Sequence, residues 1–135
     1  MPEILINIDV ADLRRAVEFY ENAVGLRLER YLFDATVAEM HGASSPVFLL
    51  AKRPGSSAGA HVPQARDYRR HWTPVHLDFV VEDIGAAIEK ASAAGAKPEG
   101  EARSFAWGRL ATFSDPFGNG LCFVQWQGRG YGEVA

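Results

Sequence analysis

The sequence predicts an α+β protein made of two βαβββ modules whose curved sheets enclose a cleft. Three observations predict it. The stretches LINIDVADLRRAVEFYENAVG (5–25) and HLDFVVEDIGAAIEKASAAG (76–95) pass through the same events: alternating residues, an aspartate, helical periodicity, then glycine. Each is followed by three short strand candidates. Finally, one helix covers one face of one sheet, and a second copy of the unit is the simplest cover for the other face.

Each element follows from local pattern. In the first strand Ile4, Ile6, Ile8 and Val10 share the helix-packed face, and Leu5, Asn7 and Asp9 point the other way. Asp12 is placed to start a helix, in which Leu13, Ala16, Val17 and Tyr20 form one apolar stripe ending at Gly25. LRLERYLF, TVAEMHG and PVFLLAK read as the next three strands. In the second module Leu77, Phe79 and Val81 face the helix, and His76, Asp78 and Val80 face the cleft. Asp83 starts the second helix, Ile84, Ala87, Ile88 and Ala91 form its stripe, and Gly95 ends it. PEGEARS, WGRLATFSD and LCFVQW follow, the last two joined by a turn through Asp115-Pro116-Phe117-Gly118-Asn119-Gly120. The expected division is one domain over 1–135, with a first module at about 3–52, a flexible linker or arm at 53–74 and a second module at about 75–128.

Composition narrows the functional classes. The chain has 135 residues, 47% hydrophobic and 23% charged, with a formal charge of -3, so no basic stripe invites nucleic acid. The densest basic cluster, Arg66, Arg69 and Arg70, reads as a solvated face, with an acidic small molecule as the alternative. Cys122 is the only cysteine, which excludes an intrachain disulfide and suits a reducing interior. No apolar run approaches the roughly 20 residues that span a bilayer. MPEILINIDVADLRR lacks the features of a secretory signal. A cytoplasmic protein without membrane contact is expected.

Three segments, VADLRRAVEFYENAVGL, HLDFVVEDIGAAIEKASAAGA and FSDPFGNGLCFVQW, resemble the vicinal oxygen chelate superfamily of glyoxalases, bleomycin resistance proteins and extradiol dioxygenases. The resemblance implies the glyoxalase/bleomycin-resistance-like fold, a homodimer, and four metal-ligand positions on the first and last strands of the modules. These positions fall on Leu5, on Phe48 or Leu49, on His76 and on Cys122. Two are hydrocarbon, so the metal site is degenerate and no cofactor is expected. If a divalent metal (Zn, Fe, Mn or Ni) binds, His76 and Cys122 are the ligands.

The function these residues suggest is binding of a small organic molecule in an apolar, aromatic cleft. Asn7, His76, Asp78, Trp107, Arg109, Cys122 and Trp126 are the candidate ligand-binding residues. Flat rings would stack, polar groups would fix orientation, and Arg109 would grip a carboxylate or phosphate. Two enzymatic readings stay open: a divalent-metal-dependent lyase, isomerase or dioxygenase, and a metal-free lyase or isomerase. In the second, His76 is the catalytic base and Asp78 orients it. Residues two apart on a strand sit about 7 Å apart, so that pairing needs favourable rotamers. Cys122 reads as an inert packing thiol rather than a nucleophile. Glu39 and His41 share a face of their strand, directed to the cleft or to solvent. The C-terminal GRGYGEVA caps the cleft or an interface, or frays.

Overall fold

A computed structural model describes residues 1–135, which divide into two compact units, Met1–Arg69 and Arg70–Ala135. In the first unit β1 (Ile6–Val10) leads to α1 (Leu13–Phe19), followed by β2 (Arg27–Leu32), β3 (Val37–His41) and β4 (Val47–Ala51). Its open four-stranded sheet has the order β1-β4-β3-β2, with β1 and β4 parallel and the remaining pairs antiparallel. Asp12 caps α1 by accepting a hydrogen bond from the Arg15 amide at 3.1 Å. The helix then widens into a π-helical turn over Tyr20–Val24 and stops at Gly25, whose φ of 83° is left-handed. Ala16, Val17 and Tyr20 are buried with Val10, Ala38, Met40, Val47 and Leu49, so the stripe read from spacing is this unit's core. Ile4 departs from its expected face: it lies ahead of β1 and is exposed.

The second unit repeats the plan with β5 (Leu77–Val80), α2 (Ile84–Ala93), β6 (Lys97–Pro98), β7 (Arg103–Phe105), β8 (Gly108–Ser114) and β9 (Gly120–Trp126). Its sheet runs β5-β9-β8-β6, with β7 also paired to β8. The single strand expected over PEGEARS is therefore two, because left-handed Gly100 lies between β6 and β7. Asp83 caps α2 through the Ala86 amide at 3.1 Å, and the Gln125 side chain accepts the Ile84 amide at 2.8 Å, tying the helix start to β9. The Asp115–Gly120 turn is held by buried Asp115, whose Oδ1 accepts the amides of Phe117 at 2.8 Å and Asn119 at 2.9 Å.

Residues 53–68 fold back on themselves through a bridge between Ser57 and Ala65. Arg66 fastens this arm to β1, its Nε donating to Asp9 Oδ2 at 2.6 Å. No helix is long and apolar enough to cross a membrane.

Candidate functional site

The face of the second sheet turned away from α2 collects most of the residues with chemistry. Register fixes who shares it. Asp78 on β5 lies opposite Cys122 on β9, which lies opposite Thr112 on β8, and directly opposed residues point to the same side. His76, one residue ahead of β5, turns onto this row with its Nε2 3.3 Å from Asp78 Oδ1. One ligand atom from each of His76, Asp78 and Cys122 lies within 4.8 Å of the others.

Electrostatics differ within the group. Cys122 is 8% exposed, and this burial is the main force pushing its thiol above the ordinary value. The Thr112 hydroxyl, 3.4 Å away, works in the opposite direction, and the neighbouring Asp78 carboxylate pushes the thiol further up. The neutral thiol is the resting form, consistent with an inert packing group.

Next to this row lies an ion pair that sequence reading did not foresee. Arg70 grips Glu99 bidentately, Nε to Oε2 at 2.6 Å and the second nitrogen to Oε1 at 3.0 Å. Its guanidinium covers Gly120, where an added Cβ would stand 2.6 Å from it. The pairing holds the Glu99 carboxyl below the usual carboxylate range. The three arginines read as one basic cluster are in fact spent separately: Arg66 on Asp9, Arg69 on Asp67, Arg70 on Glu99.

Farther along the same face the chemistry turns apolar. Val80 lies opposite Val124, which lies opposite Leu110; beyond them Trp126 lies opposite Gly108, itself opposite Phe105. Trp107 stacks on Phe105 with centroids 5.0 Å apart, and Tyr131 meets Trp107 at 5.2 Å and Trp126 at 4.7 Å. Trp126, Phe105 and Tyr131 remain exposed. Tyr131 was not among the candidates; the glycines around it in GRGYG, which let the tail turn back under Trp126, were the available signal.

Of the seven candidates, the structure brings His76, Asp78, Cys122, Trp107 and Trp126 to this region. Arg109 lies opposite Gln125, whose side chain reaches α2, so it sits on the other face. Asn7 belongs to the first unit, where it is exposed on β1 opposite Phe48. Leu5 and Phe48 carry hydrocarbon. A cavity of about 330 Å³ in the first unit, between Pro2–Leu5 and Ser44–Pro46, contains only Glu3 as an ionisable side chain.

Two βαβββ units, each with a helix on one sheet face and polar residues at strand centres on the other, define a vicinal oxygen chelate protein. The chain belongs to the glyoxalase-like domain family, whose sequence model matches residues 5–124. No curated protein matches its sequence significantly. Among solved structures it is similar to TnmS3, an antibiotic binding protein from Streptomyces sp. CB03234. That pair shares 24% identity over 94% of this chain and 97% of the other, with a TM-score of 0.65. The fosfomycin resistance protein FosX from Listeria monocytogenes is similar at 17% identity over 94% of each chain, with a TM-score of 0.70. A glyoxalase/bleomycin resistance protein/dioxygenase from Nocardioides aligns at 18% identity over 96% of this chain and 87% of the other, with a TM-score of 0.67.

Proposed function

We propose that this protein binds a small organic molecule along the second sheet, with a polar end at His76 and Asp78 and an aromatic end at Trp126. The observation that carries the reading is the gradient on that one face: polar His76, Asp78 and Cys122, then Val80, Val124 and Leu110, then Phe105, Trp107, Trp126 and Tyr131. Cys122 and Trp126 are four residues apart on β9, about 13 Å at strand rise, the length of a drug-sized molecule. The antibiotic-binding and fosfomycin-resistance proteins among the structural neighbours support this ligand class. Arg109 is assigned the opposite face and serves as the control. A homodimer in the cytoplasm completes the reading.

The test is a thermal-shift screen of aromatic compounds bearing one polar end, with tryptophan fluorescence as the second readout. A ligand at 100 times its dissociation constant stabilises by about 2.7 kcal/mol. Trp126→Ala and Asp78→Ala are expected to weaken binding about tenfold or more, and Arg109→Ala to leave it unchanged. Binding indifferent to Trp126 and Asp78 would remove the proposal. Light scattering decides the dimer.

One observation favours a second reading, the convergence of three donors in the second unit. An imidazole nitrogen, a carboxylate oxygen and a thiol sulfur fit a divalent zinc-type ion with a fourth position left open. His76, Asp78 and Cys122 would hold it, the thiol giving up its proton. Such an ion supplies Lewis acidity toward a ligand oxygen. Calorimetric titration with Zn²⁺ checks this: one equivalent bound by the wild type and none by His76→Ala supports the metal reading. Equal, weak binding to both sinks it.

A further inference from the structure

The first unit holds a second polar cluster, on residues that the reading above leaves unused. Glu39 on β3 is 8% exposed, with its carboxylate between two partners. Arg30 Nε donates to Oε2 at 2.6 Å, and His41 Nε2 stands 2.8 Å from Oε1.

A break in the sheet builds this arrangement. Along the β2–β3 ladder Leu28 opposes Met40, but the next pair is Arg30 with Glu39, which leaves Glu29 as an inserted residue. An unbroken ladder would set Glu29 against Glu39, two like charges directly opposed. The bulge brings a guanidinium there instead, and re-aiming a side chain is a recurrent use of bulges beside functional sites.

The pairing fixes the chemistry of the histidine. Hydrogen bonds from Arg30 first, and from His41, hold the Glu39 carboxyl below its ordinary range, so it is ionised and only accepts. Its bond to His41 therefore requires the proton on Nε2. Nδ1 makes no hydrogen bond to the protein, on a side chain 35% exposed. Around it, Arg27 on β2 lies opposite His41, with Glu29 3.7 Å from the Arg27 guanidinium. On β4 Phe48 lies opposite Glu39, and on β1 Asn7 lies opposite Phe48. One face thus offers a cation, a base, a flat ring and an amide.

We propose that His41, oriented by Glu39, is a proton-accepting side chain for a small organic anion that lies over Phe48 between Arg27 and Asn7. The anion carries an acidic O–H or C–H. As that bond breaks, its electron pair stays on the ligand and the proton joins Nδ1. The resulting imidazolium is balanced by the Glu39 carboxylate, and return of the proton resets the pair. No electron changes hands and no co-reactant is required. Glu39 acts as a positioning residue, Arg30 as the group that keeps it ionised.

Diethyl pyrocarbonate, which acylates an unprotonated imidazole nitrogen, tests the base directly in the full chain, with sites read by mass spectrometry. His41 is expected to react about tenfold faster than exposed His61, and Glu39→Gln to abolish the difference while the far-ultraviolet dichroism is kept. A network that merely braces β2 and β3 predicts no excess rate at His41, or an excess that survives Glu39→Gln, and either result overturns the proposal. Should Glu39→Gln fail to fold, nitrogen-15 spectra of the wild type decide: a bare Nδ1 supports the proposal, a protonated Nδ1 with bare Nε2 overturns it. Millimolar benzoate probes the ligand class. Movement of the His41 ring resonances that Arg27→Gln abolishes supports an anion here; unmoved resonances overturn that part.

Discussion

At residue scale, Cys122 shows how one position takes its character from its neighbours. On composition it is a lone thiol; in the sheet it is buried, with Thr112 and Asp78 to either side. Burial keeps it protonated, so its reaction with Ellman's reagent at neutral pH is expected to be at least tenfold slower than that of the unfolded chain. Equal rates in the presence and absence of denaturant would show the thiol to be accessible and the burial argument mistaken. That His76 and Asp78 share a strand face was legible from alternation, and Cys122 stood out only through the resemblance to the superfamily's ligand positions. Their closeness was not legible. Pleat spacing sets residues two apart at about 7 Å, and His76 escapes it because β5 begins only at Leu77. The face that Arg109 takes is hidden for a related reason: Leu110 and Ala111 are both apolar, so alternation in WGRLATF does not say which set faces the helix. The register with Gln125 does.

At element scale the repeat was the most legible feature, because capping and periodicity are local. Asp12 and Asp83 each accept the amide three residues on, as their places before the apolar stripes imply. Replacing either with alanine is expected to cost about 1 kcal/mol in chemical denaturation. What stayed hidden was the irregular geometry: the π-helical turn after α1, the Glu29 bulge, and the division of one expected strand into β6 and β7. These depend on cross-strand partners that no local pattern names. The tightest such approach is at Gly108, where an added Cβ would meet the backbone carbonyl of Gln125 on the paired strand. Backbone cannot rotate away as a side chain can, so Gly108→Ala is expected to destabilise by about 2–3 kcal/mol. Gly120→Ala, whose Cβ meets only the mobile end of Arg70, is expected to change stability far less while loosening the Arg70–Glu99 pair. Similar losses from the two variants would mean that β8 and β9 do not approach as closely as described.

At the scale of the whole molecule, the charged groups are organised as separate carboxylate–guanidinium pairs, and this predicts how stability follows pH. Glu39, Glu99 and Glu133 are each held below the usual range, chiefly by Arg30, Arg70 and Arg129. In the unfolded chain such groups titrate at about 4.3. A carboxyl with a lowered folded value contributes stability that is complete above the unfolded value and is lost as pH falls through the folded one. Proton uptake on unfolding therefore makes stability rise with pH across the acid limb. The opposite limb has the opposite sign. The Cys122 thiol is raised by burial, so the folded chain holds its proton longer, and stability is lost as pH climbs past the unfolded thiol's roughly 8.5. Tyr68, also raised by burial, with its hydroxyl donating to the Lys52 carbonyl at 2.7 Å, adds to the loss above about pH 10. The melting temperature is thus expected to be level on its carboxylate side between about pH 5.5 and 8, to fall below about 4.5, and to fall again above about 9. Glu99→Gln should shallow the acid limb and Cys122→Ser the alkaline one, each leaving the other limb in place. Because the arginine partners are mostly solvent-facing, 0.5 M salt should also weaken the acid dependence. A melting temperature that holds down to pH 3.5, or an acid limb untouched by both salt and Glu99→Gln, would mean that these pairs do not couple protonation to folding.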